Sequence, residues 1–117
     1  MKDWRNTLIT KERPMIEAMK IIDTAALQIA LVVDDARRLI GIVTDGDIRR
    51  ALLKGMSLSE PIEKVMTVDF TVARPGQRND DLIALMKSKD LRQIPIVNGQ
   101  GEVVDLKILV DLVQLPG

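Results

Sequence analysis

One order of elements occurs twice in this 117-residue chain, and that duplication narrows the folds open to it. From Pro14, the apolar residues Met15, Ala18, Met19 and Ile22 fall at helical spacing, with Pro14 tolerated in the first turn. A β-rich run, Ile29–Val33, follows; residues 34–38 form a polar turn, and Leu39–Thr44 is a second apolar run. Asp45-Gly46 reads as a break, and a helix from Asp47 to Leu53 turns Ile48, Ala51 and Leu52 inward until Gly55 ends it. The second half repeats this order. Phe70–Ala73 predicts a strand, Asn79 caps a helix carrying Leu82, Leu85 and Met86, and Ile94–Val97 predicts a strand. Asn98-Gly99 predicts a hairpin turn, Glu102–Lys107 the return strand and Val110–Val113 a final short helix. Met19 aligns with Met86 at an offset of 67, and Ile40-Gly41 with Val104-Asp105 at an offset of 64. Three extra residues are therefore expected between helix and strand in the first copy. The copies divide as 1–57 and 58–117, with Leu53–Met66 connecting them and Pro61 opening a short helical turn. Each copy reads β-α-β-β-α, an α/β (α+β) arrangement. Such a unit of about 50 residues is marginal alone. Two copies packed sheet to sheet, with a pseudo-two-fold axis and a cleft between them, are expected.

The composition excludes much chemistry. The chain has no Cys and no His, so thiolate nucleophiles, disulfides, Ser-His-Asp triads and imidazole-zinc sites are out. Ser occurs only at Ser57, Ser59 and Ser88, none in a nucleophile-elbow setting. Lys plus Arg and Asp plus Glu number 17 each, which argues against a nucleic-acid or anionic-membrane partner. Trp4 and Phe70 are the only aromatic residues, so base-stacking platforms are missing. The polar start gives no signal or membrane segment, and with no Cys a cytoplasmic location is expected. Leu115-Pro116-Gly117 reads as a linker, which suggests a piece of a longer protein.

The segment from Leu39 to Arg50 carries the chemistry. It places the Thr44 hydroxyl after a buried strand, then a Gly turn, then the Asp47 carboxylate heading a helix. Asp47 could cap that helix, or accept two hydrogen bonds from a vicinal diol such as ribose. Thr44 and the helix start offer donors to a phosphate, and Arg49 and Arg50 add positive charge beside it. The bland reading leaves Thr44 and Asp47 as caps alone. Asp45-Gly46-Asp47 lacks the remaining ligands of a calcium loop, and Arg49 falls where an oxygen ligand should be. Magnesium at Asp45 and Asp47 would require a shared phosphate, so no metal site is expected.

Two copies of this order, with Gly41-Ile-Val-Thr44-Asp-Gly-Asp47 after the return strand, resemble a tandem pair of cystathionine-β-synthase (CBS) domains. Gly-x-x-Thr-x-x-Asp is that family's ribose-phosphate motif. Ala30–Asp34, Val65-Met66-Thr67 and Ile94–Val97 support the resemblance, which spans Leu8 to Leu112. Trp4, the run Thr44–Gly55 and Leu91–Val97 are similar to the CBS pair that precedes a sugar-phosphate nucleotidyltransferase domain; the pair trailing sugar-phosphate isomerases is the alternative. The resemblance implies nucleotide-binding roles for Gly41, Thr44, Asp45, Asp47 and Arg49, with Arg92 near the cleft and Asp111 as the second copy's carboxylate. The second copy departs from the motif: Asp105 stands opposite Gly41 and Ile108 opposite Thr44.

The resemblance implies a non-catalytic regulatory module that binds an adenine nucleotide (AMP, ADP or ATP), requires no cofactor and tunes an adjacent nucleotidyltransferase domain. A homodimer is expected through Ile48, Leu52, Leu109 and Val113. The competing expectation is a ligand-free dimerisation scaffold.

Overall fold

A computed structural model describes residues 3–25 and 27–114. The chain divides into two compact units, residues 1–70 and 71–117. The first unit contains β1 (Leu8–Ile9), α1 (Met15–Thr24), β2 (Ile29–Val33), β3 (Leu39–Thr44) and α2 (Asp45–Leu53). Its sheet has the order β1-β2-β3, with β1 parallel and β3 antiparallel to β2. The second unit contains α3 (Asn79–Ser88), β4 (Gln93–Val97), β5 (Val103–Ile108) and α4 (Leu109–Gln114), with β4 and β5 antiparallel. Among the described residues no helix is long and apolar enough to cross a membrane.

The two copies keep one register throughout. Elements begin at 15 and 79, 29 and 93, 39 and 103, and 45 and 109, a constant offset of 64. The three-residue insertion expected from pairing Met19 with Met86 is absent. Met86 instead occupies the place of Ile22, and both are buried. Identity misled the alignment; the buried face of the helix sets it.

Other boundaries also move. Phe70–Ala73 is not a strand: Ala73 alone bridges Ile96, its amide donating to Pro95 O at 3.0 Å, before Pro75 ends the pairing. Asp45-Gly46 does not break the chain, because α2 starts at Asp45 and takes Gly46 into its first turn. Asn79 is not a cap; it is the first residue of α3, after an extended Arg78. Residues 58–70 pack on the first unit, where Met15 N donates to Glu60 O at 2.8 Å and Ile62 is fully buried. The packing boundary therefore lies C-terminal to the repeat boundary read from the sequence.

The cores are aliphatic, as the periodicity required. Ile9, Met15, Ala18, Ile22, Ala30, Val32, Val43, Ile48, Ala51 and Ile62 cluster in the first unit. Ala73, Leu82, Met86, Ile94, Ile96 and Leu112 cluster in the second. Ile48 is thus core, 4% exposed, and is unavailable for the dimer face assigned to it. Leu109 packs against the second core, whereas Leu52 and Val113 are exposed.

The hairpin in each unit is organised by a side chain rather than by a two-residue turn. Asp34 Oδ1 accepts from Ala36 N and Arg38 N, both at 2.9 Å, and Asn98 Oδ1 accepts from Gln100 N and Glu102 N, both at 3.0 Å. The Arg38 amide above all, with the Ala36 amide and the Arg38 side chain, holds Asp34 below its ordinary pKa. The next-to-last position of each turn is left-handed, occupied by Gly101 at φ 81° and by Arg37 at φ 64°. A side chain there is strained, whereas glycine is not. Arg37→Gly should raise unfolding stability by about 0.5–1 kcal/mol and Gly101→Arg should lower it by a similar amount, read by urea denaturation. An Arg37→Gly variant less stable than wild type would contradict this account.

Candidate functional site

The site is built where β3 runs into α2. Thr44 is extended (φ −119°, ψ 172°) and caps the helix, and Asp47 is the third helical residue. The two form a reciprocal box. Thr44 N donates to Asp47 Oδ2 at 2.9 Å, and Asp47 N points back to Thr44 Oγ1 at 3.5 Å. Of the two caps the sequence offers, Thr44 is the cap and Asp47 closes the box.

Asp47 is 8% exposed, and a carboxylate this buried requires partners. Thr44 Oγ1 donates to Oδ2 at 3.1 Å. On Oδ1, Arg50 Nη2 donates at 2.7 Å and Thr67 Oγ1 at 2.8 Å. These four donors match the roughly four lone-pair sites of a carboxylate. The anion also lies in the first turn of α2, where the exposed N–H groups favour negative charge. Arg50 and Thr67 in these roles were not foreseen. The i,i+3 spacing of Asp47 and Arg50 was a local signal. Thr67 lies 20 residues away and left none.

The segment carrying Thr67 is held against β3. Ile42 and Thr67 exchange both backbone hydrogen bonds, at 3.0 and 2.8 Å. Met66 lies over Gly41: a Cβ at Gly41 would come within 2.5 Å of Met66 Sδ. The missing side chain at Gly41 makes room for the chain's own connector.

The other candidates are scattered. Asp45 is exposed and lines a groove of about 570 Å³ with Met19, Ile22, Asp23, Gln28 and Ile48. Arg49 is exposed beside Leu52 and Leu53. Arg92 and Asp111 lie in the second unit; both are exposed, and the Arg92 carbonyl accepts from Leu109 N at 2.8 Å. Among the described residues no group of three or more His, Cys, Asp or Glu could hold a metal ion. Asp111 stands in the first turn of α4, at the position of Asp47 in α2, but Ile108 offers no hydroxyl to bind it.

A committed carboxylate and a free one should respond differently to truncation. Asp47→Ala should destabilise the chain by about 1–3 kcal/mol, because the box is lost and the donors from Thr44, Arg50 and Thr67 are left without an acceptor. Asp111→Ala should stay within about 0.5 kcal/mol of wild type. Denaturant melts of both variants check this, and equal losses would remove the distinction.

The sequence matches the CBS domain family model over residues 6–54 and again over 62–106. An uncharacterized Methanocaldococcus jannaschii protein, MJ1225, is 33% identical over 96% of this chain and 40% of its own length. Arabinose 5-phosphate isomerase GutQ of Escherichia coli is 30% identical over 86% of this chain and 31% of its own. The chain therefore spans well under half the length of these curated relatives. The crystal structure of the CBS domain pair of protein MJ0100, solved with 5′-methylthioadenosine and S-adenosyl-L-methionine, is 26% identical. It superposes with a TM-score of 0.79, covering 91% of this chain and 85% of that one. The chain belongs to the CBS domain family and carries two copies of that domain.

Proposed function

We propose that this chain is a regulatory CBS-pair module that binds an adenine nucleotide at its first copy, with ribose on Asp47 and phosphate toward Thr44, Arg49 and Arg50. The observation that carries the reading is the Asp47 carboxylate, held at a strand-to-helix junction within the Gly41-x-x-Thr44-x-x-Asp47 motif. An adenosine moiety is common to both ligands of the MJ0100 pair, which supports the adenine class. The aliphatic composition offers no aromatic clamp, so the base would rest on aliphatic side chains. With no His or Cys, the chain itself performs no turnover, and its role is to bias a partner domain through differential affinity between two states. Of the two parent contexts read from the sequence, GutQ favours a sugar-phosphate isomerase over a nucleotidyltransferase.

The second copy should be the weaker site. A hydrogen bond to a charged group is worth roughly 1.5–3 kcal/mol, so losing at Ile108 the hydroxyl with which Thr44 holds the Asp47 carboxylate in place should weaken binding at the second copy about ten- to a hundredfold. Calorimetry with AMP, ADP and ATP should report about one tight nucleotide per chain, with Asp47→Ala abolishing most of it and Asp111→Ala nearly silent. The reverse pattern would reassign the working pocket. No heat from any of the three nucleotides would leave the scaffold reading, which the fully satisfied Asp47 carboxylate favours.

Both readings include a homodimer. The exposed Leu52 and Leu53 on α2, and Val110 and Val113 on α4, supply apolar surface for it. Sedimentation at micromolar concentration should give twice the chain mass, and Leu52→Glu with Leu53→Glu should shift it toward monomer. A monomeric wild type would overturn the dimer.

A further inference from the structure

The Asp47 carboxylate has a fixed oxygen and a replaceable one. Oδ2 is held by the Thr44 amide and hydroxyl, which also start α2. Oδ1 is held by Thr67 and by Arg50, and the Arg50 side chain is 65% exposed. The guanidinium reaches Oδ1 across Gly46, where an added Cβ would come within 3.3 Å of Nη1. Arg50 is thus the outermost donor on the carboxylate, and the one that can leave without disturbing the helix start or the connector.

We propose that Arg50 is a removable counter-ion that makes ligand binding at Asp47 conditional on a phosphate, an inference that rests on the nucleotide reading above. A vicinal diol must take Oδ1 to engage Asp47, and so must displace the guanidinium. That exchange replaces a hydrogen bond between two opposite charges by one from an uncharged hydroxyl to the carboxylate, which is unfavourable taken alone. The freed guanidinium recovers an anionic partner only if the ligand brings one, and a phosphate matches its planar fork. A nucleoside therefore loses in the exchange, whereas a nucleoside monophosphate completes it.

The test is calorimetry on the whole chain with AMP, adenosine and 5′-methylthioadenosine, in wild type, Arg50→Ala and Arg50→Gln. A thermal melt of each variant accompanies it; the exposed Arg50 side chain makes loss of folding an unexpected result. Wild type should prefer AMP over adenosine by about tenfold or more, the scale of one hydrogen bond to a charged group. Removing the guanidinium should tighten adenosine and 5′-methylthioadenosine by about tenfold and change AMP far less, so that the preference collapses. A preference that is the same in wild type and both variants overturns the role of Arg50 and leaves the nucleotide reading standing. So does a wild type that binds adenosine as tightly as AMP. If none of the three ligands binds any of the proteins, the nucleotide reading fails and this inference fails with it.

Discussion

The hydrogen-bonded carboxylate of Asp47 ties together the end of β3, the start of α2 and the connector, alongside the backbone pair between Ile42 and Thr67. It fixes the end of β3 through Thr44, the start of α2 through the reciprocal box, and the connector through Thr67. A buried anion is tolerated only if its lone pairs are filled, so all these segments must hold their positions at once. Gly41 belongs to the same constraint: the connector brings Thr67 to Asp47 only because Met66 can lie against a backbone with no side chain. The fold around the motif and the chemistry of the motif therefore draw on the same atoms. A ligand bound as proposed would compete with the Arg50 donor on Oδ1 and leave Thr67 in place.

What the sequence made legible was periodic or local. Helical spacing located α1 and α3, the apolar runs located β2 to β5, and Pro61 marked the short helical turn at Ile62–Lys64. The motif residues could be named because their spacing is fixed by a strand-to-helix turn. The start of α2 was misplaced because Asp45-Gly46 has turn-forming composition, while the deciding fact was the Thr44 hydroxyl acting as a cap. Arg50 and Thr67 as partners of Asp47 were out of reach for different reasons. Arg50 stands at a spacing compatible with several partners, and Thr67 meets Asp47 only through tertiary packing. The second hairpin misled for a third reason: Asn98-Gly99 fits a two-residue turn, yet the Asn98 side chain satisfies two amides further on and lengthens the loop.

The constant offset of 64 shows what duplication preserved. Every residue of the second core stands opposite a member of the first: Ala73 opposite Ile9, Leu82 opposite Ala18, Met86 opposite Ile22, Ile94 opposite Ala30, Ile96 opposite Val32 and Leu112 opposite Ile48. Three of these pairs exchange large for small, and they do so in both directions, so each core fills its volume by a different division of side chains. Packing constrains the sum within each unit and leaves individual positions free.

The copies part at positions that meet the connector in the first unit. In the first unit Met15 and Val43 are buried, and Met66 of the connector lies over Gly41. Their counterparts are Asn79, Lys107 and Asp105, polar residues that line a hollow of about 330 Å³ in the second unit, where Lys107 Nζ sits 3.2 Å from Asp105. Ile108 offers no Thr44-like hydroxyl, so a buried carboxylate at Asp111 would be short of that donor. Asp111 stays at the surface instead, where its charge is solvated. The two copies thus repeat one order of helices and hairpin and matching core positions, and differ in whether the carboxylate in the first turn of the final helix is bound into the structure.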